Sequence, residues 1–243
     1  MFFLLLLPIS FSTFAFSPVI TEGEVKITYP CSILEQLSKS KESKEEITFY
    51  EKGQTTFFDQ NFILRKRSGE RRNDLTFKFR ENGKVPSINE DLYLKLMRSK
   101  EGQLKCEADV VYRPTDPSFS YACSFKSSAT ALIKEHNQFL KMSGLTKLEL
   151  ANDLSGLREV KIKATSWKYL PPVDRKPVHL RGAASIERWL IKDQCFLEIS
   201  AGFESAPESL RVKALQALDE LKNLIPFSPA VDQGNKTGRV LGL

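Results

Sequence analysis

Charged and apolar side chains alternate with a period of two in four separate stretches of this chain, a pattern that suits β-strands and no helix, and a fifth stretch reads as a strand with two arginines two apart. In EGEVKITY, Glu22, Glu24 and Lys26 share one face while Val25, Ile27 and Tyr29 take the other. Arg65 and Arg67 share a face in ILRKR. In LTFKFR, Thr76, Lys78 and Arg80 oppose Leu75, Phe77 and Phe79. In REVKIK, Glu159, Lys161 and Lys163 oppose Val160 and Ile162, and in CFLEIS Glu198 opposes Leu197 and Ile199. An ordinary antiparallel sheet with one wet face alternates in the same way. Here, however, the signs segregate, with carboxylates on the first and last strands and cations on the middle ones.

The net charge of +6 is local. Residues 64–100 hold 11 Lys or Arg against 5 Asp or Glu, and the rest of the chain is balanced at 25 against 25. A focus of this kind points to a small anionic ligand rather than to nucleic acid or general adhesion. Only two histidines, and four cysteines without a CxxC, argue against a cysteine-held metal.

Residues 1–17, MFFLLLLPISFSTFAFS, carry no charge and are too short to span a bilayer comfortably. Closed by small residues at Ala15 and Ser17, they read as a signal peptide, and the mature chain is expected to be exported and free of the membrane. An even number of cysteines fits that destination. The segment KCEADVVYRPTDPSFSYACSF reads as a hairpin about Pro114–Pro117, which sets Cys106 opposite Cys123. Cys31 and Cys195 remain, either as a second disulfide or as buried thiols.

Residues 18–225 then form a single domain, and 226–243, with Pro and Gly, a loose tail. Two further strands are expected at Ile47–Tyr50 and Ala184–Ile191, and the strand of REVKIK is expected to span Leu157–Tyr169. Helices are expected at Cys31–Ser40, after the capping box Ser87/Glu90, at Ala129–Met142, and after the capping box Ser205/Glu208 through Leu224.

In that order of motifs the chain resembles the CYTH, or triphosphate tunnel metalloenzyme, superfamily. EGEVK is similar to its E-x-E-x-K first strand, FYEKGQTTFFDQNFILRKR to the aromatic stretch leading to L-R-x-R, LTFKFR to L-T-x-K, and CFLEIS to the late E-x-E strand. The resemblance implies an α+β, mainly antiparallel fold: an eight-stranded triphosphate-tunnel barrel with peripheral helices. It implies a metal-dependent hydrolase of a triphosphate or nucleotide, working with Mg²⁺ or Mn²⁺. Glu22, Glu24 and Glu198 would be metal ligands, with Glu107 and Asp109 of KCEAD as a further acidic strand. Lys26 would assist near the triphosphate, and Arg65, Arg67 and Lys78 would bind phosphoryl oxygens, with Lys161 or Lys163 adding a cation. One position departs from the pattern: Ser200 stands where the late E-x-E has its second carboxylate. Two alternatives stay open, a tunnel that binds an anion without catalysis and a lipocalin-like carrier of an apolar molecule. The latter requires Arg65, Arg67 and Lys78 to lie outside the barrel.

Overall fold

Every stretch with a period of two becomes a strand, and the strands close on themselves. The computed structural model describes residues 15–70, 72–128, 133–150, 153–172, 177–230 and 236–242. A short ribbon of β1 (Ala15–Phe16) and β6 (Ile88–Asn89) lies outside the barrel. The barrel strands are β2 (Glu22–Tyr29), β3 (Ser43–Glu51), β4 (Phe62–Gly69), β5 (Asn73–Asn82) and β7 (Gly102–Val111). They continue with β8 (Ser118–Ser128), β9 (Arg158–Lys168), β10 (Arg181–Ile191) and β11 (Gln194–Glu204). Their order around the barrel is β10-β11-β2-β7-β8-β5-β4-β3-β9.

The barrel therefore has nine strands, one more than the eight implied by the resemblance. An odd number cannot close with every neighbour antiparallel, and the necessary parallel contact falls between β2 and β7. Gly23 sits at that contact. A Cβ there would lie 2.5 Å from the Ala108 carbonyl and 2.6 Å from the Phe203 ring, so any larger residue would push the two strands apart.

Two walls of the barrel are covered by helices. Helix α4 (Leu210–Leu224) lays Leu210, Ala214, Leu218 and Leu221 over Val25, Ile27, Leu197 and Ile199. Helices α1 (Thr56–Asp59), α2 (Glu90–Met97) and α3 (Ile133–Met142) cover Leu64, Leu75, Phe77 and Phe125. The outer side of β3 and β9 stays wet, with Lys44, Glu46, Lys161 and Lys163 exposed.

Several local details differ from expectation. Cys31–Gln36 is a 3₁₀ helix of two turns, with Ile33 and Leu34 as its buried apolar side. Asn89 rather than Ser87 caps α2, its side chain accepting the Leu92 N–H. Pro207–Ser209 form a 3₁₀ turn before α4, and the Ser205 hydroxyl bonds Ala206 and Ser209 instead of closing a capping box. The expected start of α3 at residues 129–132 and residues 1–14 of the leader lie outside the described residues. Phe16, just beyond, packs on Tyr93 with ring centroids 5.4 Å apart.

Both disulfides form. Cys106 and Cys123 are directly opposed on β7 and β8 with Cα atoms 4.0 Å apart, and Cys31 joins Cys195 across 164 residues. Among the described residues no helix is long and apolar enough to cross a membrane. The end of the chain is not loose throughout: Lys236–Leu241 form α5, with Gly238 and Val240 buried.

Candidate functional site

Residues paired across a β-ladder share a face, so the register shows what lines the barrel. Arg67 pairs with Ile47 and Asp74, Arg65 with Phe49 and Thr76, and Lys78 with Ser124. The same face continues through Asp109 opposite Glu24, Thr28 opposite Glu198, and Glu198 opposite Glu187. This is the inner face. Arg67 Nη2 on β4 reaches Glu187 Oε1 on β10 at 3.1 Å, although β3 and β9 stand between those strands in the wall. Side chains with two strands between them meet that way only across a lumen.

Asp109 is the hub of one side of the lumen. Its carboxylate, 1% exposed, meets Lys26 Nζ at 2.9 Å, Lys78 Nζ at 2.7 Å and Arg80 Nη2 at 2.8 Å. Burial opposes its ionisation, but Lys26, Lys78 and Arg80 outweigh burial and hold it well below the usual carboxylate range. Lys26 also meets Glu24 at 2.8 Å. Burial disfavours its charge, yet Asp109, Glu24 and Glu198 raise its pKa. Lys78, which also touches Glu107 at 3.4 Å, is lowered by burial despite Asp109.

Opposite lies an imbalance. Among the described residues the Arg65 side chain has no hydrogen-bond or ion-pair partner, and its Nε is buried without one. Burial, followed by repulsion from Arg67, lowers its pKa to about 10. Glu187, Asp74 and Glu24 act on Arg65 only from beyond ion-pair distance and do not offset the cost of burying the guanidinium beside Arg67.

A third feature lies outside the sequence motifs. Glu187 and Glu198 face each other directly across β10 and β11, an arrangement of like charges that needs a cation between them. Lys236 of α5 supplies it, with Nζ 3.1 Å from Glu187 and 2.8 Å from Glu198. Burial works against the Glu187 charge, but Lys236, then Arg67 and Arg65, hold it far below the ordinary value.

The two ends of the lumen differ. Where β3 begins and β9 ends, Ser43, Glu45, Ser166, Lys168, Ser185 and the loop residue Arg72 line a polar cavity of about 70 Å³. The Glu45 carboxylate there is buried without a hydrogen bond, and burial raises its pKa. At the opposite end the inward positions turn apolar: Ile47, Phe49, Ile162, Ala164, Trp189 and Ile191 pack together with Val240 of α5.

Of the residues singled out from the sequence, Glu22, Glu24, Lys26, Arg65, Arg67, Lys78, Glu107, Asp109 and Glu198 come together on the inner face. Glu22 lies near the polar mouth, 3.3 Å from both Lys105 and Arg181. Lys161 and Lys163 do not join them. The Lys161 side chain is 56% exposed beside Glu159, and Lys163 is also exposed. On β9 the apolar Ile162 and Ala164 face inward and the lysines face water, so the alternation is right but its assignment to inside and outside is inverted. Arg65, Arg67 and Lys78 inside the lumen set aside the apolar-carrier alternative. Glu187, Asp74, Arg80 and Lys236 were missed as site residues. Arg80 shares the face of Lys78 in LTFKFR, and Glu187 alternates with Ile186 and Arg188, so both were legible; Lys236 sits in a segment without periodicity.

No family model matches the chain, and no curated protein matches it. Among solved structures it is similar to a protein from Hippeastrum, provisionally named an adenylyl cyclase and described with a dominant triphosphatase activity. The TM-score is 0.47 at 11% identity over 92% of this chain and 96% of that one. A Bacillus halodurans protein, provisionally named an adenylate cyclase, gives 0.43 at 14% over 90% and 97%. A Pyrococcus horikoshii protein gives 0.41 at 13% over 87% and 94%. These are similarities of backbone course at scores below one half, and the chemistry of the lumen rests on its own side chains.

Proposed function

We propose that the lumen grips the phosphate chain of a small triphosphate-bearing anion and, with Mg²⁺ or Mn²⁺, hydrolyses it. The observation that carries this reading is Arg65, a lumenal guanidinium without an ion-pair partner beside Arg67, with Lys78 and Arg80 on the neighbouring strand β5 and Lys26 across the lumen on β2. Phosphoryl oxygens would complete that set, Arg through its planar fork and Lys as a point charge. Arg65 and Arg67 would hold one end of the chain, Lys78 and Arg80 the other, and Lys26 would stand beside the reacting phosphorus.

Ser200, opposite Lys26, removes one expected carboxylate. Glu187, across the ladder from Glu198, supplies a second one at the next pair, and these two fit a hard divalent cation. Glu24 and Asp109 are turned to Lys26, and among the described residues no group of three metal-ligating side chains forms. Glu187 and Glu198 would hold the metal, which would supply charge neutralisation and an activated water.

A second reading, an anion-binding tunnel without catalysis, is favoured by the same pairing of carboxylates to lysines and arginines. Phosphate release from inorganic triphosphate, ATP and thiamine triphosphate, with and without Mg²⁺ or Mn²⁺, separates the two. Metal-dependent release supports hydrolysis, whereas binding without release leaves the tunnel a receptor. The two disulfides support an oxidising, exported setting for either role.

A further inference from the structure

The C-terminal helix closes the apolar end of the lumen by chemistry of two kinds. Val240 is buried among the inward-facing Ile47, Phe49, Ile162 and Trp189, and the Arg239 guanidinium lies 4.9 Å from the Phe196 ring centroid. At the start of the same helix, Lys236 Nζ sits between Glu187 and Glu198 and 4.1 Å from the Trp189 centroid. The segment is six residues long, too short to hold itself helical in water, so its order depends on these contacts. They also place an ammonium at the carboxylate pair that fits a divalent cation.

We propose that α5 is a displaceable plug and that Lys236 acts as a tethered cation, competing in cis with a divalent metal ion for Glu187 and Glu198. The competition rests on the metal half of the function proposed above. Two positive charges cannot share one pair of carboxylates at contact distance, so the metal enters only as Lys236 leaves. Withdrawal of Lys236 carries α5 away from Trp189 and opens the second end of the lumen. The resting protein is then a blind tunnel open at the serine-lined mouth, and the metal-loaded protein is open at both ends.

The test measures Mn²⁺ binding to the full-length chain from the electron paramagnetic resonance signal of the free ion. It compares the wild type with Lys236→Met and with Val240→Asp, which expels the helix from its other end and draws the unaltered Lys236 away from the carboxylates. Melting curves confirm that each is folded. Both variants are expected to bind Mn²⁺ at least tenfold more tightly than the wild type, and Glu187→Gln added to Lys236→Met is expected to abolish that gain. Trp189 emission should change on Mn²⁺ addition to the wild type and already be shifted in both variants. Equal Mn²⁺ affinity in the three proteins, or no uptake by Lys236→Met, overturns the proposal. Triphosphate titrated without metal reads the arginines alone, so loss of anion binding there is a separate failure.

Discussion

Replacing Arg65 with Met should stabilise the ligand-free protein and remove its response to triphosphate. Met keeps an unbranched stem of similar reach and deletes the charge. Burial and Arg67 lower the Arg65 pKa from 12.5 to about 10. At about 1.4 kcal/mol per unit, that shift sets an upper bound of about 3 kcal/mol on the cost of the charged form. The side chain is only half-buried and borders the lumen, so screening reduces the figure to about 1–2 kcal/mol. Because the folded-state value lies below the unfolded one, the penalty is fully present at neutral pH. It is relieved only as the pH rises through about 10. For a domain of this size, about 1–2 kcal/mol corresponds to a rise in Tm of roughly 2–8 °C. Triphosphate at a hundredfold its Kd should stabilise the wild type by about 2.7 kcal/mol and the variant hardly at all. Scanning calorimetry with and without triphosphate reads both effects. A variant that melts below the wild type and keeps the full ligand shift would refute the claim that Arg65 waits for an anion.

Arg67→Ala should weaken triphosphate binding roughly ten- to hundredfold, and Lys66→Ala should leave it within about twofold, because alternation turns Lys66 to the outer wall. Titration calorimetry at physiological salt checks the pair. Asp109→Asn should destabilise the fold by about 3–5 kcal/mol by leaving Lys26, Lys78 and Arg80 facing one another. The native Asp109 pKa lies well below the unfolded value near 3.8, so its contribution is present above that value and lost as the pH falls through the native one. Denaturant titrations against pH should accordingly show a shallower acid limb in Asp109→Asn. Loss of Cys31–Cys195, which spans 164 residues, should cost about 5 kcal/mol in the chain-entropy model, against about 3 for the 17-residue Cys106–Cys123 link, a difference that melts of the paired Ser variants would show.

The strands and their two faces were legible because period two is a local property of the sequence. EGEVK, LTFKFR and CFLEIS each placed charge inward, and the hairpin about Pro114–Pro117 aligned Cys106 with Cys123. Which face becomes the interior is not local. On β9 the choice falls to Ile162 and Ala164, since Ile47, Phe49 and Trp189 from neighbouring strands make an apolar end there. REVKIK therefore looks the same in sequence and is reversed in space. All nine barrel strands were legible one by one, and the count of eight came from the resemblance; the parallel β2–β7 contact follows from barrel closure, which no single segment encodes. Glu187 carried the right alternation, but its importance comes from register with Glu198. Lys236 reaches that pair from beyond 200 through α5, and short segments ordered by tertiary contacts leave little trace in composition.

The proposed role of the lumen around Arg65 is to hold a phosphate chain, and a crystal structure of the protein with inorganic triphosphate would show whether one binds there. Phosphoryl oxygens are expected inside the barrel, within hydrogen-bonding distance of Arg65 and Arg67, with the chain running toward Lys78 and Arg80. Triphosphate bound only on the outer wall, at Lys161 and Lys163, with the lumen unchanged, would be incompatible with that role.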